Sequence, residues 1–125
     1  MQSPITLERT NVVLYCRHWQ PTVRFYREQL SLPVSFENDW FVEFELTADA
    51  FLSIADSRRS SIRDVQGQGI TITCRVPDLQ ATRNELELRG IDVTPIRHNW
   101  GALVFYCQDP EGHRLEFWQA ANGKE

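Results

Sequence analysis

Apolar and polar positions alternate with a period of two along several short stretches of this chain, and a period near 3.6 replaces it in two. Asn11 to Cys16, NVVLYC, is rich in Val, Leu and Tyr and predicts a strand. Its parity puts Asn11, Val13 and Tyr15 on one face and Val12, Leu14 and Cys16 on the other. Beyond Pro21 the spacing of Val23, Tyr26 and Leu30 predicts a helix that Leu32-Pro33 ends. Val34–Phe36, Trp40–Leu46 with Glu43 and Glu45 alternating, and Ala50–Ile54 with Phe51 and Ser53 on one face read as three strands.

The same order returns after a polar, glycine-containing stretch. Ile70–Val76 predicts a strand, Asp78 a helix cap, Leu79–Arg89 an amphipathic helix and Gly90 its end. Ile91–Pro95, Gly101–Cys107 and Arg114–Trp118 read as three more strands. Asn11 aligns with Thr71 and Ser53 with Glu116, at offsets of 60 and 63 residues, so loops absorb a difference of three. The expectation is a single α+β domain of two βαβββ modules, over about 9–56 and 70–120 with a linker over about 57–69. Curved mixed sheets would carry helices on the convex side and leave a concave pocket.

The most distinctive stretch is Tyr106–Trp118, YCQDPEGHRLEFW. Asp109-Pro110-Glu111-Gly112 supplies the residues of a tight reversal. Beyond it Arg114, Glu116 and Trp118 share one face, and Leu115 and Phe117 the other. Glu116 is thus a rim charge paired with Arg75 or Arg114, or a pocket carboxylate that orients a ligand beside a guanidinium. Asn11, Thr71 and Thr73 on the corresponding faces are candidate donors and acceptors. Tyr15, Phe51, Trp100 and Trp118 are candidate aromatic lining or, equally, core and interface residues.

A length of 125 residues suits one domain with a substantial core. Three cysteines, Cys16, Cys74 and Cys107, each within an apolar run, point to buried thiols in a cytoplasmic setting rather than a disulfide framework. A net charge of −4 without a basic block argues against nucleic acid and anionic membrane as partners, and no run of apolar residues is long enough to span a bilayer. Phosphate-binding glycine loops, dinucleotide fingerprints and Ser-His-Asp groupings are lacking. A small organic ligand remains the expected partner.

NVVLYCRHWQPTVRFYREQLSLP, ITCRVPDLQATRNELELRGI and WGALVFYCQDPEGHRLEFW together make the chain resemble the vicinal oxygen chelate superfamily, the glyoxalase, bleomycin-resistance and extradiol-dioxygenase group. That resemblance implies paired βαβββ modules and, as in its small members, a homodimer. Its metal-dependent members hold a divalent ion with four side chains, and the matching positions here are Asn11, Ser53, Thr71 and Glu116. Only Glu116 is a good ligand, since a divalent metal needs about three strong protein donors. No metal or other cofactor is therefore expected. The leading expectation is metal-independent binding of a small organic molecule, as in the sequestering drug-resistance members. The alternatives are a metal-dependent lyase or isomerase using Glu116 and a rebuilt ligand set with His98, expected in a loop, as first suspect, and an interaction module with a degenerate pocket.

Overall fold

The computed structural model describes residues 3–121. The chain divides into two compact units, with the boundary between Val65 and Gln66. Among the described residues no helix is long and apolar enough to cross a membrane.

In the first unit, β1 (Thr10–Cys16), β2 (Val34–Glu37), β3 (Phe41–Thr47) and β4 (Ala50–Asp56) form one sheet in the order β1-β4-β3-β2. β1 runs parallel to β4, while β4, β3 and β2 pair antiparallel. α1 (Trp19–Arg24) packs on β1 and β4. Pro21 lies in its first turn, where a missing N–H costs nothing. The helix then widens into a π-helical turn over Phe25–Gln29, closed by Leu30 N donating to Phe25 O at 3.0 Å. One parity of the strands, Leu14, Cys16, Val42, Phe44, Leu52 and Ile54, is at most 3 % exposed and meets the buried Val23 and Tyr26 of the helical segment. Much of the expected linker is tied down: Asp56 accepts from Arg58 N, Nε and Nη2, and Ser57 Oγ donates to Asp64 at 2.9 Å.

In the second unit, β5 (Thr71–Arg75), β6 (Arg97–Asn99), β7 (Ala102–Gln108) and β8 (Arg114–Ala120) form a sheet in the order β5-β8-β7-β6. β5 is parallel to β8, and the other neighbours are antiparallel. α2 (Leu79–Leu88) packs on β7 and β8, and Asp78 caps it by accepting from Ala81 N at 3.0 Å. Leu115 and Phe117 are buried, with the rings of Phe105 and Phe117 stacked 5.2 Å apart. The two units repeat one order, strand, helix, three strands, so each is a βαβββ module with an open mixed sheet.

One expected strand is absent. Ile91–Pro95 has no strand geometry, and Arg97–Asn99 pairs with β7 instead. Pro95 has no N–H to give a ladder. The carbonyls of Thr94 and Val93 accept from Arg83 Nε at 2.8 Å and Nη2 at 3.4 Å, and the Thr94 hydroxyl takes Tyr106 N at 2.8 Å. One backbone bond to β7 remains, Thr94 N to Tyr106 O at 3.0 Å, and side chains take the other positions. His98 consequently lies on β6 opposite Leu103, exposed, rather than in a loop.

The DPEG turn is built around Asp109. Its Oδ1 accepts from the backbone N–H of Glu111, Gly112 and His113, each at 3.0 Å, and its Oδ2 meets His113 Nδ1 at 2.7 Å. Both side chains are buried, at 0 % and 1 % exposure. Gly67, in the stretch expected as linker, lies against this turn at φ +77.

Candidate polar sites on the sheet faces

In the first unit, the face of β1, β4 and β3 away from α1 carries a continuous polar chain. Ser53 Oγ donates to Asn11 Oδ1 at 2.8 Å, and Asn11 Nδ2 donates to Glu43 Oε2 at 3.2 Å. Ser35 Oγ donates to the other Glu43 oxygen at 2.7 Å, and Arg9 pairs with Oε2 at 3.0 Å. The guanidinium of Arg9 also lies 3.6 Å from the centroid of Phe51. The Ser35 hydroxyl, with help from Arg9, holds the Glu43 carboxyl below its ordinary value against the opposing effect of burial. Tyr15 is half-buried on the same parity, opposite Ala55.

Across the second unit, alternate rungs of the β5–β8 ladder pair Thr71 with Arg114, Thr73 with Glu116 and Arg75 with Trp118. Side chains follow the rungs. Arg114 Nε donates to Thr71 Oγ1 at 3.0 Å, Thr73 Oγ1 donates to Glu116 Oε1 at 2.6 Å, and the Arg75 guanidinium sits 5.3 Å from the Trp118 ring. Arg114 also covers Tyr106 of β7 at 4.5 Å. Of the two readings of Glu116, the pairing with Arg75 or Arg114 is not formed among the described residues; the carboxylate bonds Thr73, its direct cross-strand partner.

The ten residues singled out in the sequence therefore fall into three places. Asn11 and Ser53 are joined on the first sheet, with Tyr15 half-buried on the same face. Thr71, Thr73, Arg75, Arg114, Glu116 and Trp118 share one face of the second. Trp100 stands apart, 95 % exposed at the tip of the β6–β7 hairpin. Trp100 and Gly101 have φ of +53 and +76, the geometry of a two-residue reversal that favours Asn-Gly over a bulky first residue. Trp100→Asn is expected to raise unfolding stability by about 1 kcal/mol in urea titration. Arg9, Ser35, Glu43 and Tyr106 were not singled out. Glu43 had a signal, the alternation of WFVEFEL, but choosing its partners requires knowing that β4 lies between β1 and β3.

A divalent metal does not fit the four family positions. Asn11 and Ser53 are bonded to each other, Thr71 accepts from Arg114, and Glu116 has Thr73 on one oxygen. A cation would have to break these bonds to obtain one carboxylate and three weak neutral donors. Among the described residues no three His, Cys, Asp or Glu side chains gather into a metal-holding group. His113 is committed to Asp109. The cysteines are no better placed as nucleophiles: burial, then the charge of Glu116, raises the Cys74 thiol, and burial with Asp109 and Cys74 pushes Cys107 up to about 12.

Two shallow grooves adjoin these units. One of about 340 Å³ is lined by Arg75, Val76, Pro77, Gln119 and Ala120, at the Arg75 end of the ladder. Another of about 300 Å³, between α1 and β2–β3, includes Trp19, Arg27, Glu37 and Val42. Glu116 lines neither groove.

No curated protein sequence matches the chain significantly. Among solved structures, a glyoxalase/bleomycin resistance protein/dioxygenase from Nocardioides superposes with a TM-score of 0.80 at 20 % identity, covering 100 % of this chain and 89 % of that one. Lactoylglutathione lyase from Agrobacterium tumefaciens gives 0.74 at 19 % identity, covering 96 % and 98 %. TnmS3, an antibiotic binding protein from Streptomyces sp. CB03234, gives 0.73 at 17 % identity, covering 95 % and 99 %. At these identities the likeness is one of fold. Residues 9–117 match the sequence family itself, and the chain belongs to the Glyoxalase/Bleomycin resistance protein/Dioxygenase superfamily.

Proposed function

We propose that this protein binds a small organic molecule without a metal ion, at the helix-free face of its second sheet, and acts by sequestering it rather than by transforming it. The observation that carries this reading is the state of the family's ligand positions, where Asn11, Ser53, Thr71 and Glu116 are already engaged in hydrogen bonds and offer a single carboxylate. Such a face suits recognition: Tyr106 and Trp118 are aromatic platforms that the guanidinium groups of Arg114 and Arg75 now cover and a flat ligand can share, while Glu116 and Arg114 orient polar groups. The fold is also that of TnmS3, an antibiotic binding protein. A cytoplasmic homodimer completes the reading. Free cysteines suit a reducing compartment, and Val34 and Phe36, exposed on edge strand β2, offer apolar surface to a second copy.

Titration calorimetry of the purified protein against a panel of aromatic and antibiotic molecules tests the reading. Saturable binding that Glu116→Gln weakens supports it. The competing reading, a lyase or isomerase, predicts tightly held divalent metal by elemental analysis and loss of that metal in the same variant.

A further inference from the structure

The second sheet carries a negative and a positive charge side by side without letting them meet. Glu116 and Arg114 lie two residues apart on one strand face, so their Cα positions are separated by about 6.6 Å. Each is instead held by its own cross-strand threonine, Glu116 by Thr73 and Arg114 by Thr71. Among the described residues neither enters an ion pair. Thr73 occupies one carboxylate oxygen, and Thr71 accepts only the Nε–H of Arg114. The second oxygen of Glu116 and the terminal nitrogens of Arg114 are left to a partner from outside. The next residue on that face is Trp118, half-buried, and Arg114 itself rests on Tyr106.

We propose that this face recognises an aromatic zwitterion, a molecule carrying an ammonium and a carboxylate on one carbon next to a flat ring, as in the aromatic amino acids. This deepens the small-molecule reading above and rests on it. The ammonium donates to Glu116, the carboxylate accepts from the terminal nitrogens of Arg114, and the ring lies on Trp118, where it takes the place of the Arg75 guanidinium that stands 5.3 Å from that ring. One carbon bearing both charges, with a hydrogen bond at each end, bridges the spacing of neighbouring side chains on one strand face. A ligand with a single charge leaves either Glu116 or Arg114 partly desolvated and without a counterpart, so the pair selects against it. A dianion meets Glu116 as a repulsive neighbour, and a dication meets Arg114.

Titration calorimetry on the full chain with L-phenylalanine and L-tryptophan, against phenethylamine and 3-phenylpropionate, tests this. The zwitterions should bind at least about tenfold more tightly than either singly charged analogue. Glu116→Gln should lose that advantage and favour 3-phenylpropionate over phenethylamine, while Arg114→Met should reverse the order. A variant that merely perturbs the sheet weakens all probes together and does not exchange their ranking. Equal binding of the analogues, no binding of the zwitterions, or variants without the exchange of preference would overturn the proposal. Glu116-dependent binding of some other organic molecule would then leave the broader small-molecule reading intact, and its absence too would remove both.

Discussion

Asp109→Ala should lower the unfolding free energy by roughly 3–5 kcal/mol, the range for breaking a buried charged network by removing one member. The carboxylate is fully enclosed and satisfies four donors at once, three backbone N–H groups of the turn and the His113 ring. Alanine leaves the N–H groups of Glu111 and His113 and the His113 ring without that acceptor in a buried place, while Gly112 N keeps the carbonyl oxygen of residue 109 at 3.0 Å. Asp109→Asn should cost less, because one amide oxygen still serves the three backbone donors. Urea denaturation of the three proteins checks the order. A change below about 1 kcal/mol for the alanine variant would mean that the turn finds other partners.

Gly67→Ala should destabilise by roughly 3 kcal/mol or more, adding overpacking to a left-handed backbone. A Cβ there would fall 2.2 Å from Gly112 C and 2.4 Å from His113 N, which are backbone atoms of the Asp109 turn and cannot rotate away. Gly112 is constrained in return, its own Cβ position lying 2.8 Å from Gln66 O. Gly69 is the internal control. It has the same φ of +77 but nothing within 4 Å of its Cβ position, so Gly69→Ala should show only the backbone penalty, about 1–2 kcal/mol. Equal losses in the two variants, by the same urea measurement, would show that the close approach of Gly67 contributes nothing.

These two positions also show where the sequence is opaque. DPEG announces a reversal through residue type, because Pro and Gly have local preferences that any fold must respect. That Asp109 is the hub, that His113 is buried against it, and that a glycine more than forty residues earlier closes over the turn are long-range facts with no local trace. Period-two alternation made the faces legible, so the parity of Asn11 with Tyr15 and of Arg114, Glu116 and Trp118 follows from counting. Partners on those faces do not follow. Asn11 meets Glu43 across β4, which lies between their strands, and Glu116 meets its direct cross-strand partner Thr73 rather than Arg75 at the next position on that face. Ile91–Pro95 has strand composition, yet Pro95 and the reach of Arg83 to the carbonyls of Val93 and Thr94 leave a single backbone bond to β7, from Thr94 N to Tyr106 O. Trp100 looked like lining because it is aromatic; two left-handed residues place it at a hairpin tip instead.

The family's metal positions state the functional question most sharply. Where metal-dependent members of this superfamily would offer several strong ligands, this chain offers Glu116 and three neutral side chains that already have hydrogen-bond partners. On the proposed reading, hydrogen bonds and aromatic surface on the second sheet take over recognition. The most direct measurement is the dissociation constant of one bound organic ligand, taken after exhaustive dialysis against a chelator and again with added Zn, Ni or Mn ions. Metal-independent binding predicts the same constant in both conditions, with no metal retained by the dialysed protein. Binding that disappears with the chelator and returns with the metal would contradict it.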